Sequence, residues 1–97
     1  MTEVSKDELA RHIENLRGGK ATWVEAVPVT ESFQGQIVWE GEVQVYDLEG
    51  QPEASRVYAW SYQLEDGKRK FVAVLHKPPV DSPAAAVRAA IVAEGRE

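Results

Sequence analysis

The sequence predicts an α+β fold: an N-terminal helix, a three- to four-stranded antiparallel β-meander and a C-terminal helix, with both helices on one face of the sheet. Amphipathic helical patterns lie at the two ends of the 97-residue chain, and runs of β-branched and aromatic residues lie between them. Asp66-Gly67 separates the last two runs and is typical of a tight hairpin. We expect one domain over residues 1–97, because a chain of this length holds one modest core.

The first helix is predicted over about residues 6–17. Ser5 and Glu8 have the spacing of a capping box, in which a hydroxyl accepts from a backbone amide and a carboxylate reaches back. Gly18-Gly19 ends the pattern, because glycine readily adopts the left-handed conformation that closes a helix. Four residues between these signals form one stripe at helical spacing: Leu9, His12, Ile13 and Leu16.

Strand patterns fill the middle of the chain. The run ATWVEAVPV predicts an edge strand over residues 22–29, since Pro28 cannot donate to a ladder. Longer patterns predict strands over about residues 36–48, 55–64 and 69–77.

A second helix is predicted over about residues 83–94. Ser82 is a suitable N-cap, Pro83 suits the first helical position, and Gly95 lies just beyond the end. Its apolar side is formed by Ala84, Val87, Ala90 and Ile91.

Turn lengths decide which strand residues share a face. A two-residue loop at Asp66-Gly67 places Tyr62 opposite Phe71. A four-residue loop over 49–52 places Val43 opposite Tyr58, whereas a loop one residue longer or shorter sends the whole strand to the other face. The two-residue loop at 66–67 and the four-residue loop at 49–52 together predict one apolar face, which we expect to be the floor under both helices. Its residues are Ile37, Trp39, Val43, Val45, Tyr58, Trp60, Tyr62, Leu64, Phe71, Ala73 and Leu75. Gly41 is expected to lie beneath the ring of Trp60.

The opposite face of this predicted sheet is mixed and has no helix to cover it. An apolar surface that the chain leaves bare favours a protein-interaction module or a small homo-oligomer that uses this face. We therefore expect self-association or a protein partner, and a binding protein rather than an enzyme. The candidate interaction residues are Glu40, Glu42, Tyr46, Lys70, Val72, Val74 and His76.

Two alternatives remain open. A pocket between the aromatic sheet and the helices would bind a small ligand or support catalysis, using Trp39, Tyr62 and His12. Alternatively, the basic hairpin would bind nucleic acid weakly, through Lys68, Arg69, Lys70, Lys77 and Arg88.

The element order resembles that of the double-stranded-RNA-binding domain, a family that packs two helices on one face of a three-stranded antiparallel sheet. That family has lysines at the start of its last helix, where this chain has DSPAAAVR over 81–88. The resemblance is one of element order alone.

Charge and composition exclude several functions. Residues 21–66 carry nine acidic residues and one base, Arg56, so this segment has a net charge of −8 and repels phosphate. Nucleic acid is therefore not expected as the main partner. The absence of cysteine excludes disulfides and thiolate metal sites. No motif indicates catalytic residues, a cofactor or a metal. The charged start and the lack of a long apolar run predict a cytoplasmic protein without a membrane partner.

Overall fold

A computed structural model of the protein describes residues 5–95. One antiparallel sheet has the strand order β1-β2-β3-β4, with a helix before it and a helix after it, which confirms the predicted fold class. The elements are α1 (Lys6–Arg17), β1 (Lys20–Phe33), β2 (Gln36–Glu49), β3 (Arg56–Gln63), β4 (Arg69–Leu75) and α2 (Pro83–Gly95).

Helix α1 begins and ends at the signals in its sequence. The Ser5 hydroxyl accepts a hydrogen bond from the Glu8 amide at 3.1 Å. Gly18 has a φ of 83°, and its amide donates to the Glu14 carbonyl at 2.9 Å. The helix buries Leu9 and Ile13, whereas Leu16 at its end is 58% exposed. The last position of the predicted stripe therefore lies outside the core.

Strand β1 extends beyond the predicted range of 22–29 and forms one edge of the sheet. Gln34 and Gly35 both have positive φ, as the two central residues of a type I′ hairpin require, and they join β1 directly to β2. Pairing of β2 with β3 covers only residues 44–47. The β1–β2 hairpin therefore continues past the rest of the sheet as a two-stranded ribbon.

The hairpin between β3 and β4 differs from the prediction by one residue. Leu64 lies opposite Lys68, because the Leu64 amide donates to the Lys68 carbonyl at 2.7 Å. The loop therefore has three residues and ends at Gly67, which has a φ of 87°. The Asp66 carboxylate accepts from the Lys68 amide at 3.0 Å. Asp-Gly here serves a three-residue loop with glycine in the left-handed position rather than a two-residue turn.

The loop between β2 and β3 has six residues, 49–54, rather than four. Asp47 pairs with Arg56, and the Leu48 amide donates to the Ser55 carbonyl at 2.8 Å. The side-chain oxygen of Gln51 holds the loop by accepting from the amides of residues 53 and 54. Two extra residues leave the parity of the pairing unchanged, so the odd-numbered residues of β2 still share a face with the ring of Tyr58.

The helices pack on opposite faces of the sheet, so the prediction that they share one face is wrong. Helix α1 covers the face that carries Tyr46, Val57 and Ala59. The one-residue change at the β3–β4 hairpin adds Ala73 and Leu75 to this face, because it moves every β4 side chain to the other face. The α1 layer of the core consists of Leu9, Ile13, Tyr46, Leu48, Val57, Ala59, Ala73 and Leu75. The α2 layer consists of Val29, Val43, Val45, Tyr58, Trp60, Val80, Ala86 and Val87.

Both faces of the sheet are thus apolar at its centre, and each is covered by its own helix. Tyr58 and Trp60 are 3% and 4% exposed, which confirms that these rings belong to the core. They form the floor under α2 alone. The element order resembles that of the double-stranded-RNA-binding domain, but this two-sided packing departs from that family's single helical layer.

Candidate functional site

The two edges of the sheet differ in how they are protected. Strand β1 has two register shifts and carries Pro28, and both features hinder pairing with a further strand. Strand β4 pairs with β3 without a shift and contains no proline. The β4 edge is therefore the one whose geometry can accept another strand.

The hydrogen bonds at the two ends of β4 fix which of its backbone groups point outwards. The Lys68 carbonyl and the His76 amide both bond to β3. In an antiparallel pair these groups alternate, so even-numbered residues of β4 face β3 and odd-numbered residues face outwards. The amides of Phe71 and Ala73 and the carbonyl of Phe71 have no hydrogen-bond partner within the part of the chain that the structure describes. We call these outward groups the open edge.

Arg17, the last residue of α1, lies over this edge. Its Nε and Nη2 atoms donate to the Ala73 carbonyl at 3.2 and 2.8 Å. The backbone around it is held in turn, because the Arg17 carbonyl accepts from Gln51 at 3.3 Å and the Glu14 carboxylate accepts from the Ala21 amide at 2.9 Å. A fixed positive charge therefore lies beside the open edge.

A groove of about 530 Å³ runs along β4, and we call it the edge groove. Leu16 and Arg17 form its wall on the α1 side, and β4 from Lys70 to Val74 forms its floor. The wall on the α2 side consists of short side chains: Ala89, Ala90 and Ala93. Small walls let another backbone approach the floor closely.

The charged side chains among the described residues that line the edge groove are basic. Arg17 and Lys70 line it, and no acidic residue is among its described lining residues. Arg69 lies next to it and donates to the Ser61 hydroxyl at 3.1 Å, which places its side chain on the α1 side of the sheet. The acidic segment found in the sequence lies elsewhere, mainly on β1, β2 and the loop after β2.

The seven predicted interaction residues do not form one face. Lys70, Val72 and Val74 lie together on β4 and line the edge groove. Glu40 and Glu42 are exposed on β2, far along the chain from β4 in a ribbon that does not pair with β3.

The other two predicted residues have structural roles. Tyr46 is fully buried in the α1 layer and donates from its hydroxyl to the Lys6 carbonyl at 2.7 Å. Burial, with the nearby carboxylate of Asp7, raises the pKa of Tyr46 to about 12. His76 is partly buried, and its Nδ1 atom lies 2.5 Å from the Tyr58 hydroxyl. Burial raises the pKa of Tyr58.

Sequence reasoning missed the two walls of the edge groove. The wall on the α2 side could have been predicted from the sequence. The stretch PAAAVRAAIVA is apolar nearly all round, and this is typical of a helix that is covered on more than one side. The role of Arg17 had no local signal, because Ala73 lies 56 residues further along the chain.

A second cavity, of about 270 Å³, lies between the sheet and α2. We call it the aromatic pocket, and its lining residues are Trp39, Trp60, Tyr62, Val87, Ala90 and Ile91. The rings of Trp39 and Trp60 meet at 69° with centroids 5.6 Å apart. A Cβ at Gly41 would lie 3.2 Å from the Trp39 ring, so it is Trp39, not Trp60, that covers Gly41. His12 lies on the other side of the sheet, where it stacks on Phe71 at 3.6 Å.

The basic residues that suggested nucleic-acid binding are dispersed. Lys70 and Lys77 are seven residues apart along an extended chain, so roughly 20 Å separates them. Lys77 pairs with Glu53 at 3.3 Å, and Arg88 pairs with Glu31 at 3.2 Å. Of these five basic residues, only Lys68, Arg69 and Lys70 lie at or next to the edge groove.

Neither a protein-family model, nor a curated protein, nor a solved structure matches this chain. Within residues 5–95, no helix has the length and apolar character that crossing a bilayer requires. The same residues contain no group of three or more histidine and carboxylate side chains that could hold a metal ion. The edge groove and the aromatic pocket both contain residues that the sequence singled out for binding: Lys70, Val72 and Val74 in the groove, and Trp39 and Tyr62 in the pocket.

Proposed function

We propose that this protein is a protein-interaction module that binds an extended segment of a partner as a fifth strand on β4. The observation that carries the proposal is the open edge, with the unpartnered amides of Phe71 and Ala73 at the floor of a groove. Strand addition is a common way to recognise a peptide, because the main chain gives affinity and the alternate side chains give specificity.

Backbone hydrogen bonds and apolar contact both support binding in the edge groove. An incoming strand would satisfy two amides and a carbonyl, each bond giving about 0.5–1.5 kcal/mol net. Its side chains would cover Leu16 and the alanines of α2. Because helices cover the centre of both faces of the sheet, the edge replaces the bare face as the interaction surface.

The substitution Ala73→Pro tests this function. Proline at 73 removes an outward amide and leaves the even-numbered amides that bond to β3, so the fold is kept while strand addition is lost. The matched control is Val72→Pro, which removes an inward amide and is expected to lower the free energy of unfolding by about 3 kcal/mol or more.

The binding probe is a seven-residue peptide of alternating valine and threonine, titrated into ¹⁵N-labelled protein. We expect it to shift the amide signals of Phe71 and Ala73 in the wild type and to bind Ala73→Pro about two- to ten-fold more weakly, as the loss of one such hydrogen bond implies. Equal binding to both proteins would contradict the proposal. If Ala73→Pro fails to fold, hydrogen exchange of the wild type provides the test. The proposal predicts that the amides of Phe71 and Ala73 exchange more slowly with the peptide bound than without it.

The aromatic pocket supports a second candidate function, the binding of a small uncharged aromatic molecule. Its walls are ring faces and aliphatic side chains, and no charged residue lines it. With indole as the probe, we expect the methyl signals of Ala90 and Ile91 to shift. Trp39→Ala should abolish these shifts, whereas Trp23→Ala, which alters a ring outside the pocket, should leave them unchanged.

A further inference from the structure

The chemistry around the open edge also indicates what kind of strand it accepts. Resting on the proposed function, we infer that the edge groove selects an acidic extended segment, in which carboxylate side chains alternate with apolar ones. The inference follows from the side on which each charged group of the groove lies.

A strand added to β4 sends its side chains alternately to the two sides of the sheet. On the α1 side they would meet Arg69, Phe71 and Ala73 of β4, together with the guanidinium of Arg17. Two of these four neighbours are cationic. Acidic side chains on this side of the incoming strand would therefore gain cross-strand charge pairs.

The α2 side of the groove has a different character. Its floor is Val72 and Val74, which pack against the α2 layer, and its wall is the alanine row of α2. Apolar side chains of moderate size fit this side.

The side-chain positions therefore define a pattern with a period of two. Acidic residues face α1 and apolar residues face α2. Uncharged strands would satisfy the same backbone groups, but they would leave the two arginines without a partner from the incoming chain. Selectivity for acidic over neutral strands is thus separable from strand addition itself.

A second copy of this chain fits the groove less well than an acidic partner. Its β4, with the residue before it, would bring Lys68, Arg69 and Lys70 into a groove that already holds Arg17. Strand β4 contains no acidic residue to offset them. Its β1 is interrupted by two register shifts and Pro28. Charge complementarity therefore favours a different, acidic protein as the occupant.

Three peptides test the inference, with valine alternating with glutamate, threonine or lysine. At low salt we expect the glutamate peptide to bind about ten-fold more tightly than the threonine peptide, as two partly exposed ion pairs with Arg17 and Arg69 imply, and the lysine peptide to bind most weakly. The difference should shrink at about 0.5 M salt, where charges are screened over a few ångströms.

Arg17→Gln and its control separate charge from packing. Glutamine keeps a donor for the Ala73 carbonyl but removes the charge, so we expect the glutamate peptide to bind about three- to five-fold more weakly and the threonine peptide to bind as before. Arg11→Gln, an equal change of net charge at an exposed position of α1 that does not line the groove, should alter neither affinity.

The possible results are distinct. Equal affinity for the glutamate and threonine peptides, or equal effects of Arg17→Gln and Arg11→Gln, would overturn the acidic preference and leave strand addition intact. If no peptide shifts the amide signals of Phe71 and Ala73, the proposed function itself fails. Concentration-dependent dimerisation that excludes the peptides, or tighter binding of a ten-nucleotide RNA or DNA strand than of the glutamate peptide, would also overturn the inference.

Discussion

Tyr46 is the residue that ties α1 to the sheet. Its ring is fully buried between α1 and the sheet, and its hydroxyl donates to the first carbonyl of α1. The sequence pattern predicts it on the mixed face of the sheet, which was expected to have no helix to cover it. Helix α1 covers that face, and the hydrogen bond with Lys6 gives the hydroxyl of Tyr46 a partner.

The hydroxyl of Tyr46 predicts a specific pH dependence of stability. Because the pKa rises from 10.0 unfolded to about 12 folded, the folded protein holds this proton more strongly than the unfolded chain. This contribution to stability is fully present below pH 10 and is lost as the pH rises from 10 to 12.

We therefore expect Tyr46→Phe to lower the free energy of unfolding by about 1 kcal/mol at pH 8, through loss of one buried hydrogen bond. The difference between wild type and variant should decrease steadily at pH 10, 10.5 and 11, measured by urea denaturation. Tyr58, whose pKa is also raised, is present in both proteins, so its effect cancels. A difference that stays constant with pH would contradict the assignment.

At the scale of elements, β4 combines two environments along one strand. Its even-numbered backbone groups belong to the sheet and its odd-numbered groups face the edge groove. The strand is short and carries basic residues at its start, and both features discourage indiscriminate pairing. Arg17 also discourages indiscriminate pairing, because its guanidinium already donates to the Ala73 carbonyl.

Hydrogen exchange should reveal this alternation directly. We expect the amides of Val72 and Val74 to exchange at least about a hundred-fold more slowly than those of Phe71 and Ala73, because only the former donate within the sheet and need an opening reaction to exchange. Two-dimensional NMR of dilute protein in deuterated buffer measures all four. Uniform protection of β4 that persists on dilution would mean that the edge is already covered.

For the whole molecule, the arrangement is a sheet with one helix on each face. This three-layer packing gives two half-cores that share the central strands β2 and β3. At its centre, neither face of the sheet is bare. Charge follows the same division, with acidic residues concentrated on β1 and β2 and basic ones around β4.

Local patterns were sufficient for the helices and most of the strands. Ser5, Glu8 and Gly18 define α1 through interactions within a few residues of each other. The rings at 58 and 60 were correctly placed in the core, because large aromatic side chains at alternate positions bury well together. Lys70, Val72 and Val74 lie together, as alternate residues of one strand must.

Long-range pairing decided the rest. The edge groove joins residues of α1, β4 and α2 that are tens of positions apart, and no period in the sequence links Arg17 to Ala73. The aromatic pocket was partly predicted through Trp39 and Tyr62, whereas His12 lies on the other face. Binding of a protein partner, a small ligand or nucleic acid stays a prediction for the experiments above.

The sequence alone determined the kinds of element and their order, because capping, glycine positions and hydrophobic periods act over a few residues. Tertiary structure decided the loop length at Asp66-Gly67, and with it the face to which every β4 side chain points. Both loop lengths suit the same dipeptide, so local chemistry does not separate them. What separates them is burial: with a three-residue loop, Ala73 and Leu75 meet α1 while Val72 and Val74 meet α2.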